Sequence, residues 1–193
     1  LTALHERASL NRQVRVFFEA RQVLEVETPA LSQAGNTDPF IDSFSVNTPQ
    51  GLRYLHTSPE YPMKRLLVAG SGDIYQLCKV WRRDESGKRH NPEFTLLEWY
   101  RLGFTWQKLM QEVAELLHTL IPHLCKPARF CSYREVFLET LQLDPHIATQ
   151  AELSACARAH AINIDGDMPA QAWRDLLLTH CVEPQFPADQ LTF

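Results

Sequence analysis

An apolar run that contains a single internal glutamate, residues 93–101, is typical of a partly buried β-strand. Alternation with a period of two places Phe94, Glu98 and Tyr100 on one face and the residues between them on the other. Glu98 therefore shares its face with two aromatic rings. An ionised carboxylate on such a surface costs free energy unless a cation or several hydrogen-bond donors meet it. The pattern indicates that Glu98 has a cationic partner, which a ligand can supply.

The segment before this strand predicts its hairpin partner. Residues 74–82 alternate in the same way and form a second strand. The two strands are separated by the charged stretch 84–91, which contains a glycine and predicts a polar turn region. The sequence therefore predicts a β-hairpin centred on this polar loop.

The first seventy residues predict helices, a short strand and loops. Three- and four-residue spacing of apolar positions predicts an amphipathic helix over residues 4–21. VLEVETPAL predicts a short strand closed by Pro29, and residues 30–53 predict loops and a small hairpin. A helix follows, with Thr57 and Glu60 in the arrangement of a capping box, and it ends at Gly70.

The second half of the chain predicts mainly helices. The clearest apolar stripe covers residues 105–124. Thr149 and Glu152 predict the cap of a later helix, and Pro169 opens another. Because the central strands pair through a hairpin and do not alternate with crossover helices, we expect an α+β fold with an antiparallel sheet flanked by helices.

Composition excludes several classes of protein. The chain has 193 residues, 45% hydrophobic and 22% charged, which is ordinary for a soluble globular domain. The net charge of -4 gives no basic field for nucleic acid. The densest cationic cluster is interleaved with acids and consists of Lys79, Arg82, Arg83, Lys88 and Arg89. No apolar run approaches the roughly 18 residues of a membrane span.

Cysteine and histidine usage favours a reducing compartment without a metal site. Five cysteines form no CxxC pair, which argues against both a disulfide framework and a zinc knuckle. Eight histidines are scattered along the chain, and we interpret them as structural. We therefore expect a cytoplasmic protein with no metal ligands in this chain.

Several segments resemble class II aminoacyl-tRNA synthetases. WRRDESGKRHNPEFT resembles their motif 2, and FFEARQVLEVETPAL resembles motif 1. TSPEYPMKRLLVAG and LLEWYR are similar to the lysine branch, and most similar to the lysyl-tRNA synthetase paralogues that ligate (R)-β-lysine to elongation factor P. Those paralogues have SPEY and LEWYR where the tRNA enzymes usually have APEL and a MELY-type sequence.

The resemblance implies one catalytic domain over residues 1–193. Motif 1 would cover about 10–31, motif 2 about 74–101, and a helical insertion about 104–185. It also implies homodimer formation through motif 1. In the tRNA enzymes an OB-fold anticodon-binding domain precedes motif 1, whereas only a few residues precede it here. We therefore expect no tRNA binding.

The resemblance assigns ATP binding to six residues of the hairpin: Arg82, Arg83, Asp84, His90, Asn91 and Phe94. Arg82 is the catalytic candidate, because it would clamp the α-phosphate and the substrate carboxylate while charge builds on the phosphoryl oxygens. Asp84 stands where the family has a glutamate that contacts the adenine side of ATP, and Glu85 is an alternative for that contact. Phe94 would stack on adenine. For Arg82 the structural alternative is a solvated arginine in a charged turn. For Phe94 it is an ordinary core phenylalanine.

Two further nucleotide candidates, His90 and Asn91, lie in the loop. His90 would face the terminal phosphates and Asn91 the nucleotide. The alternative is that both are ordinary polar loop residues.

The resemblance assigns the amino-acid substrate to five residues: Ser58, Pro59, Glu60, Glu98 and Tyr100. Glu98 and Tyr100 would hold the side-chain ammonium of the substrate, and Glu60 would contact its backbone amine. For Glu60 the alternative is the capping box described above. For Glu98 the alternative is a structural ion pair with Arg101 or Lys79.

Two elements of the family are not recognisable in this sequence. They are the glycine-rich motif 3 with its arginine and the acidic segment that binds magnesium. We therefore expect the chain to be a fragment, with the Mg²⁺ ligands elsewhere. We also expect it to catalyse no lysine-dependent ATP–pyrophosphate exchange by itself.

The expected function is that of an ATP-dependent, AMP-forming ligase. It would activate (R)-β-lysine, or lysine, as an adenylate and transfer it to a lysine side chain of elongation factor P. Two alternatives stay open. One is the catalytic domain of an ordinary lysyl-tRNA synthetase. The other is a synthetase-like regulatory or dimerisation subunit without chemistry.

Overall fold

The computed structural model of this chain describes the following residues: 1–88, 90–164, 166 and 168–193. Arg89, a member of the cationic cluster, lies outside the described residues. The chain divides into two compact units, Leu1–Leu109 and Met110–Phe193. All the site residues predicted from the sequence belong to the first unit.

The first unit contains two helices and six strands within its described residues. In chain order they are α1 (Thr2–Glu19), β1 (Leu24–Glu25), β2 (Leu31–Ser32), β3 (Ser45–Thr48), β4 (Gly51–Leu55), α2 (Glu60–Val68), β5 (Ile74–Trp81) and β6 (Glu93–Tyr100). The predicted first helix and both strands of the central hairpin are confirmed. The predicted strand over VLEVETPAL is instead two two-residue strands, β1 and β2, with Pro29 between them.

The six strands form two three-stranded sheets, in the orders β1-β5-β6 and β2-β4-β3. β5 and β6 form the predicted antiparallel hairpin, with Gln76 opposite Glu98 and Val80 opposite Phe94. β1 runs parallel to β5, so this sheet is mixed and not purely antiparallel as expected. The long connection from β1 to β5, which includes α2, makes a parallel pairing possible. The α+β class is confirmed.

Helix α1 covers one face of the hairpin. The fully buried Phe18 stacks on Tyr75 with ring centroids 4.5 Å apart, and its centroid lies 5.5 Å from the ring of Trp99. Tyr75 and Trp99 are opposite each other in the register, so both face α1. Because side chains alternate along a strand, Gln76 and Glu98 point to the other face, as the sequence predicts.

The predicted capping box at the start of α2 is wrong. The helix begins at Glu60, and its N-cap Pro59 makes no side-chain capping hydrogen bond. Glu60 is the first residue of the helix, whereas a capping box needs its acid at the third position. The backbone N–H of Glu60 donates to the hydroxyl of Ser58 and not to that of Thr57, and its nitrogen lies 3.0 Å from Oγ of Ser58. The carboxylate of Glu60 instead forms an ion pair with Lys64.

The second unit is helical. Helix α3 (Trp106–Leu120) begins before the division and continues into this unit. The α-helices that lie wholly within the described part of this unit are α4 (Tyr133–Leu141), α5 (Gln150–Ala159) and α6 (Ala170–Leu177). A π-helical turn, Leu178–Val182, continues α6. The core of this unit includes Phe137, Leu153, Trp173 and Leu177.

Capping boxes hold two of the helix starts described in the second unit. Thr149 and Glu152 form the predicted capping box of α5, and Pro169 is the N-cap of α6. Ser132 and Glu135 form a second capping box at the start of α4.

In the part of the chain that the structure describes, no helix is both long enough and apolar enough to cross a bilayer. The boundaries of motif 1, motif 2 and the helical insertion remain predictions.

Candidate functional site

The first unit contains a cavity of about 1380 Å³. Its walls are the segment 29–43, the start of α2 and the hairpin face that α1 leaves uncovered. The predicted site residues that line it are Ser58, Glu60, Arg82 and Glu98. The cavity therefore brings a carboxylate and a guanidinium into one space, as expected for a substrate that carries both an amine and an anion.

The partly buried carboxylate of Glu98 is held by two hydroxyls. Ser58 donates to Oε2 at 2.6 Å, and Tyr100 donates to Oε1 at 2.7 Å. The cations proposed as structural partners are engaged elsewhere, since Arg101 pairs with Asp73 and Lys79 pairs with Glu93. Among the described residues, no cation forms an ion pair with Glu98.

This arrangement fixes the position of Glu98 and, among the described residues, places no cation at ion-pair distance from it. A carboxylate offers about four acceptor sites, of which two are used. The neutral hydroxyls orient the carboxylate without cancelling its charge. The arrangement therefore suits a ligand ammonium, which supplies both the charge and further donors.

Tyr100 acts as a hydrogen-bond donor over the whole physiological range. Burial raises the pKa of its phenol, and the hydrogen bond to Glu98 raises it further. A phenolate next to a carboxylate would add a second negative charge in a partly buried place. Tyr100 therefore stays protonated and orients Glu98.

Ser58 links the start of α2 to the acid of the hairpin. Its hydroxyl receives the backbone N–H of Glu60 and donates to Glu98. Pro59, which follows it, is fully buried and fixes the backbone at this point. These contacts hold the first turn of α2 against the hairpin, on the side where Glu98 lies.

Arg82 is held in position by three neighbours. Its Nε donates to the carbonyl of Thr57 at 3.3 Å, and its Nη1 donates to Glu85 at 3.2 Å. Its guanidinium carbon lies 5.1 Å from the ring centroid of Phe94, within cation–π range. Among the described residues Nη2 has no hydrogen-bond partner, so Arg82 retains donors for an anion in the cavity that it lines.

The next two residues are engaged away from the cavity. Arg83 donates from Nη2 to Asp42 at 2.6 Å and from Nε to Asp84 at 3.3 Å. The Arg83 guanidinium lowers the pKa of Asp84, which is exposed and ionised. Neither Arg83 nor Asp84 lines the cavity. Glu85, not Asp84, is the acid that contacts Arg82.

The hairpin loop places the remaining nucleotide candidates outside the cavity lining. His90 closes the turn with Gly87 through two backbone hydrogen bonds, and both His90 and Asn91 are exposed. Phe94 is partly buried beneath Arg82. The roles of these residues in ATP binding remain predictions.

Sequence reasoning missed one wall of the cavity. Residues 33–41 contribute most of this wall, and the sequence marks this stretch only as a polar loop. His56, which also lines the cavity, approaches the carbonyl of Lys79 with Nε2 at 2.7 Å. An irregular segment has no periodicity, so no sequence signal indicates which way it folds.

No group of three or more His, Cys, Asp and Glu side chains converges as a metal site in the described residues. The described carboxylates that line the cavity do not converge on one point, and an isolated carboxylate does not make a magnesium site by itself.

The fold and the cavity agree with one family of synthetases. The family model described as "tRNA synthetases class II (D, K and N)" matches residues 2–172, and the chain belongs to this family. A relative from Mannheimia succiniciproducens, named elongation factor P--(R)-beta-lysine ligase, is 45% identical to this chain. The match covers 96% of this chain and 58% of the relative. The relative of that name in Haemophilus influenzae is also 45% identical, over 94% of this chain and 58% of its own length.

A relative of the same name in Salmonella typhi is 44% identical over 98% of this chain and 60% of its own length. The chain thus spans about three fifths of the length of the curated relatives that it matches.

Proposed function

We propose that this chain is the amino-acid and nucleotide binding part of an ATP-dependent ligase that modifies elongation factor P with (R)-β-lysine. The observation that carries the proposal is the Glu98 carboxylate, held by two hydroxyls in the cavity that also contains Arg82. The names of the relatives support the same substrate and acceptor.

Glu98 would bind the side-chain ammonium of the substrate. An ammonium loses its hydration when it enters a partly enclosed cavity, and a fixed carboxylate compensates that loss. Because Ser58 and Tyr100 already orient the acid, little ordering is required when the ligand arrives. A substrate with a neutral side chain of similar size would supply no positive charge to Glu98 and would bind less well.

Arg82 would bind the α-phosphate of ATP through Nη2, which has no partner among the described residues. The substrate carboxylate attacks the α-phosphorus, pyrophosphate leaves, and an aminoacyl-adenylate forms. The side-chain amine of a lysine on elongation factor P then attacks the carbonyl carbon, and AMP leaves with the bonding electrons. The fixed guanidinium would stabilise the charge that develops on the phosphoryl oxygens.

Phe94 would stack on adenine, and its position under Arg82 fits a nucleotide that lies along the hairpin. ATP and Mg²⁺ are the co-substrate and the ion expected for this family. Since the described residues offer no cluster of metal ligands, no step proposed here passes through the ion.

A cytoplasmic location and a homodimer built through motif 1 belong to the same proposal. The exposed apolar side chains Leu4, Leu10 and Val16 on α1 support a protein contact on that helix.

The proposal is tested by mixing the protein from the complete reading frame with ATP, (R)-β-lysine and elongation factor P. The expected result is a mass increase on one lysine of elongation factor P equal to one β-lysyl group. L-lysine is the matched substrate control, and we expect slower modification with it. Aminoacylation of lysine tRNA without modification of elongation factor P would favour an ordinary lysyl-tRNA synthetase. ATP and lysine binding without either reaction would favour a non-catalytic subunit.

A further inference from the structure

The cavity wall formed by residues 33–41 continues into Asp42, which does not itself line the cavity, and this segment 33–42 is irregular and attached at few points. Phe40 on this segment is 95% exposed, and several hydrogen bonds of the segment join its own residues to each other. In the part of the chain that the structure describes, two hydrogen-bonded contacts join it to distant elements. Thr37 meets the hydroxyl of Tyr61 on α2, and Asp42 meets Arg83 at the end of the hairpin.

The contact between Asp42 and Arg83 has two parts. The Arg83 side chain donates from Nη2 to Oδ2 of Asp42 at 2.6 Å. The backbone N–H of Arg83 also donates to the carbonyl oxygen of Asp42 at 2.9 Å. The wall is therefore anchored to the residue that directly follows the cavity arginine, Arg82.

The guanidinium of Arg83 already serves two carboxylates, those of Asp42 and Asp84. It also does not line the cavity. A direct phosphate contact would require it to give up these partners and to turn toward the cavity. Its present contacts are suited to holding the wall.

We propose that Arg83 is a positioning residue that acts through Asp42 on the 33–41 wall, and that it sets the affinity of the cavity for the amine-bearing substrate and not for ATP. This inference rests on the proposed function, because it requires that (R)-β-lysine and ATP bind in this unit. The pair is about half exposed, with side-chain exposures of 53% and 60%. Exposed pairs contribute little, so its loss is expected to weaken substrate binding by roughly two- to fivefold.

The test measures two dissociation constants by calorimetry on the full-length protein, one for (R)-β-lysine and one for a non-hydrolysable ATP analogue. Arg83→Gln and Asp42→Asn are each expected to raise the first constant by about two- to fivefold and to leave the second unchanged. The double variant is expected to match the single ones, because both remove one interaction. Exchanging the two residues, Arg83→Asp with Asp42→Arg, is expected to restore part of the affinity.

The matched control is Lys79→Gln. It breaks an ion pair with Glu93 on the same hairpin, with 50% exposure on each side, and we expect it to change neither constant. Weaker nucleotide binding in Arg83→Gln alone, with Asp42→Asn like wild type, would overturn the inference and make Arg83 an ATP ligand. Unchanged substrate binding in both variants would also overturn it. A wild-type protein that binds neither ligand would instead contradict the proposed function, and the inference with it.

Discussion

The hydroxyl of Tyr100 donates a hydrogen bond to Glu98 two positions earlier on the same strand, at 2.7 Å. Two residues of one strand face are neighbours by geometry, so this contact follows from the pleat. Its consequence is that the acid is oriented before any ligand binds. Because burial and the nearby carboxylate raise the pKa of the phenol above its ordinary value, this donor is retained at neutral pH.

Replacing Glu98 by glutamine is expected to abolish tight binding of (R)-β-lysine. Glutamine keeps the shape but removes the charge that the ligand ammonium needs, and loss of a close charge partner costs about 2–5 kcal/mol. Calorimetry measures the change in affinity. Glu93→Gln is the control, because Glu93 is an exposed residue of the same strand that pairs with Lys79. Binding by Glu98→Gln within about twofold of wild type would exclude Glu98 as the amine site.

Replacing Arg82 by lysine is expected to weaken binding of a non-hydrolysable ATP analogue by about tenfold or more. Lysine keeps the charge but not the planar fork that reaches Thr57, Glu85 and a phosphate together. A charge-assisted hydrogen bond contributes about 1.5–3 kcal/mol. Arg53→Lys is the control, since Arg53 is an arginine of β4 that bonds the adjacent carbonyl of Leu52. Equal effects of both substitutions would contradict a special role for Arg82.

The stability of the first unit is expected to fall at alkaline pH through Tyr75. Burial, followed by the hydrogen bond to Glu25, raises the pKa of this phenol from 10.0 to about 12. A raised pKa means that the folded state holds the proton more tightly than the unfolded state. The associated stability is complete below pH 10 and is lost as the pH rises through about 12.

The variant Tyr75→Phe isolates this effect. Because ionising the phenol costs the folded state more than the unfolded state, the stability of wild type relative to the variant is expected to fall by about 2 kcal/mol between about pH 9 and pH 12 in urea unfolding, so that the wild-type advantage at neutral pH reverses. At neutral pH the variant should be less stable by about 1 kcal/mol, because the hydrogen bond to Glu25 is lost. Parallel stability curves for the two proteins across this range would show that Tyr75 has an ordinary pKa.

Removing the cap of α5 is expected to destabilise the second unit. Thr149→Ala deletes the hydroxyl that receives the backbone N–H of Glu152, and such caps contribute about 1 kcal/mol. Urea unfolding followed by the fluorescence of the buried Trp173 measures the loss. Thr149→Ser keeps the hydroxyl and is expected to remain close to wild type. Equal losses for alanine and serine would point to packing instead of capping.

The same cap has a pH dependence of known sign. The backbone N–H of Thr149 lowers the pKa of Glu152 below its ordinary value of 4.5. A lowered pKa contributes stability above the unfolded value, and that contribution disappears as the pH falls through the folded value. The stability difference between wild type and Glu152→Gln is therefore expected to narrow in acid.

Some errors of prediction have identifiable causes. The residues TSPE match the pattern of a capping box, but Pro59 is the N-cap, and the helix starts at Glu60. The pattern describes local preference, and the packing of the chain selected another start. The capping box at Thr149 was predicted correctly because no neighbouring proline competes with it.

The sequence by itself determined the helices, the hairpin and the face on which Glu98 lies. These features depend on spacing along one segment, and spacing is visible in the sequence. The motifs around the hairpin and the first helix also indicated the family, because their residue types and order can be read directly along the chain.

Only the tertiary structure decided which groups meet. Ser58 reaches Glu98 from 40 positions away, and Asp42 reaches Arg83 from 41 positions away. Contacts between distant segments depend on how the whole unit packs, and periodicity along one segment carries no information about them. For this reason the sequence placed an acid on the correct face, and the fold supplied the hydroxyls that orient it and the wall that encloses it.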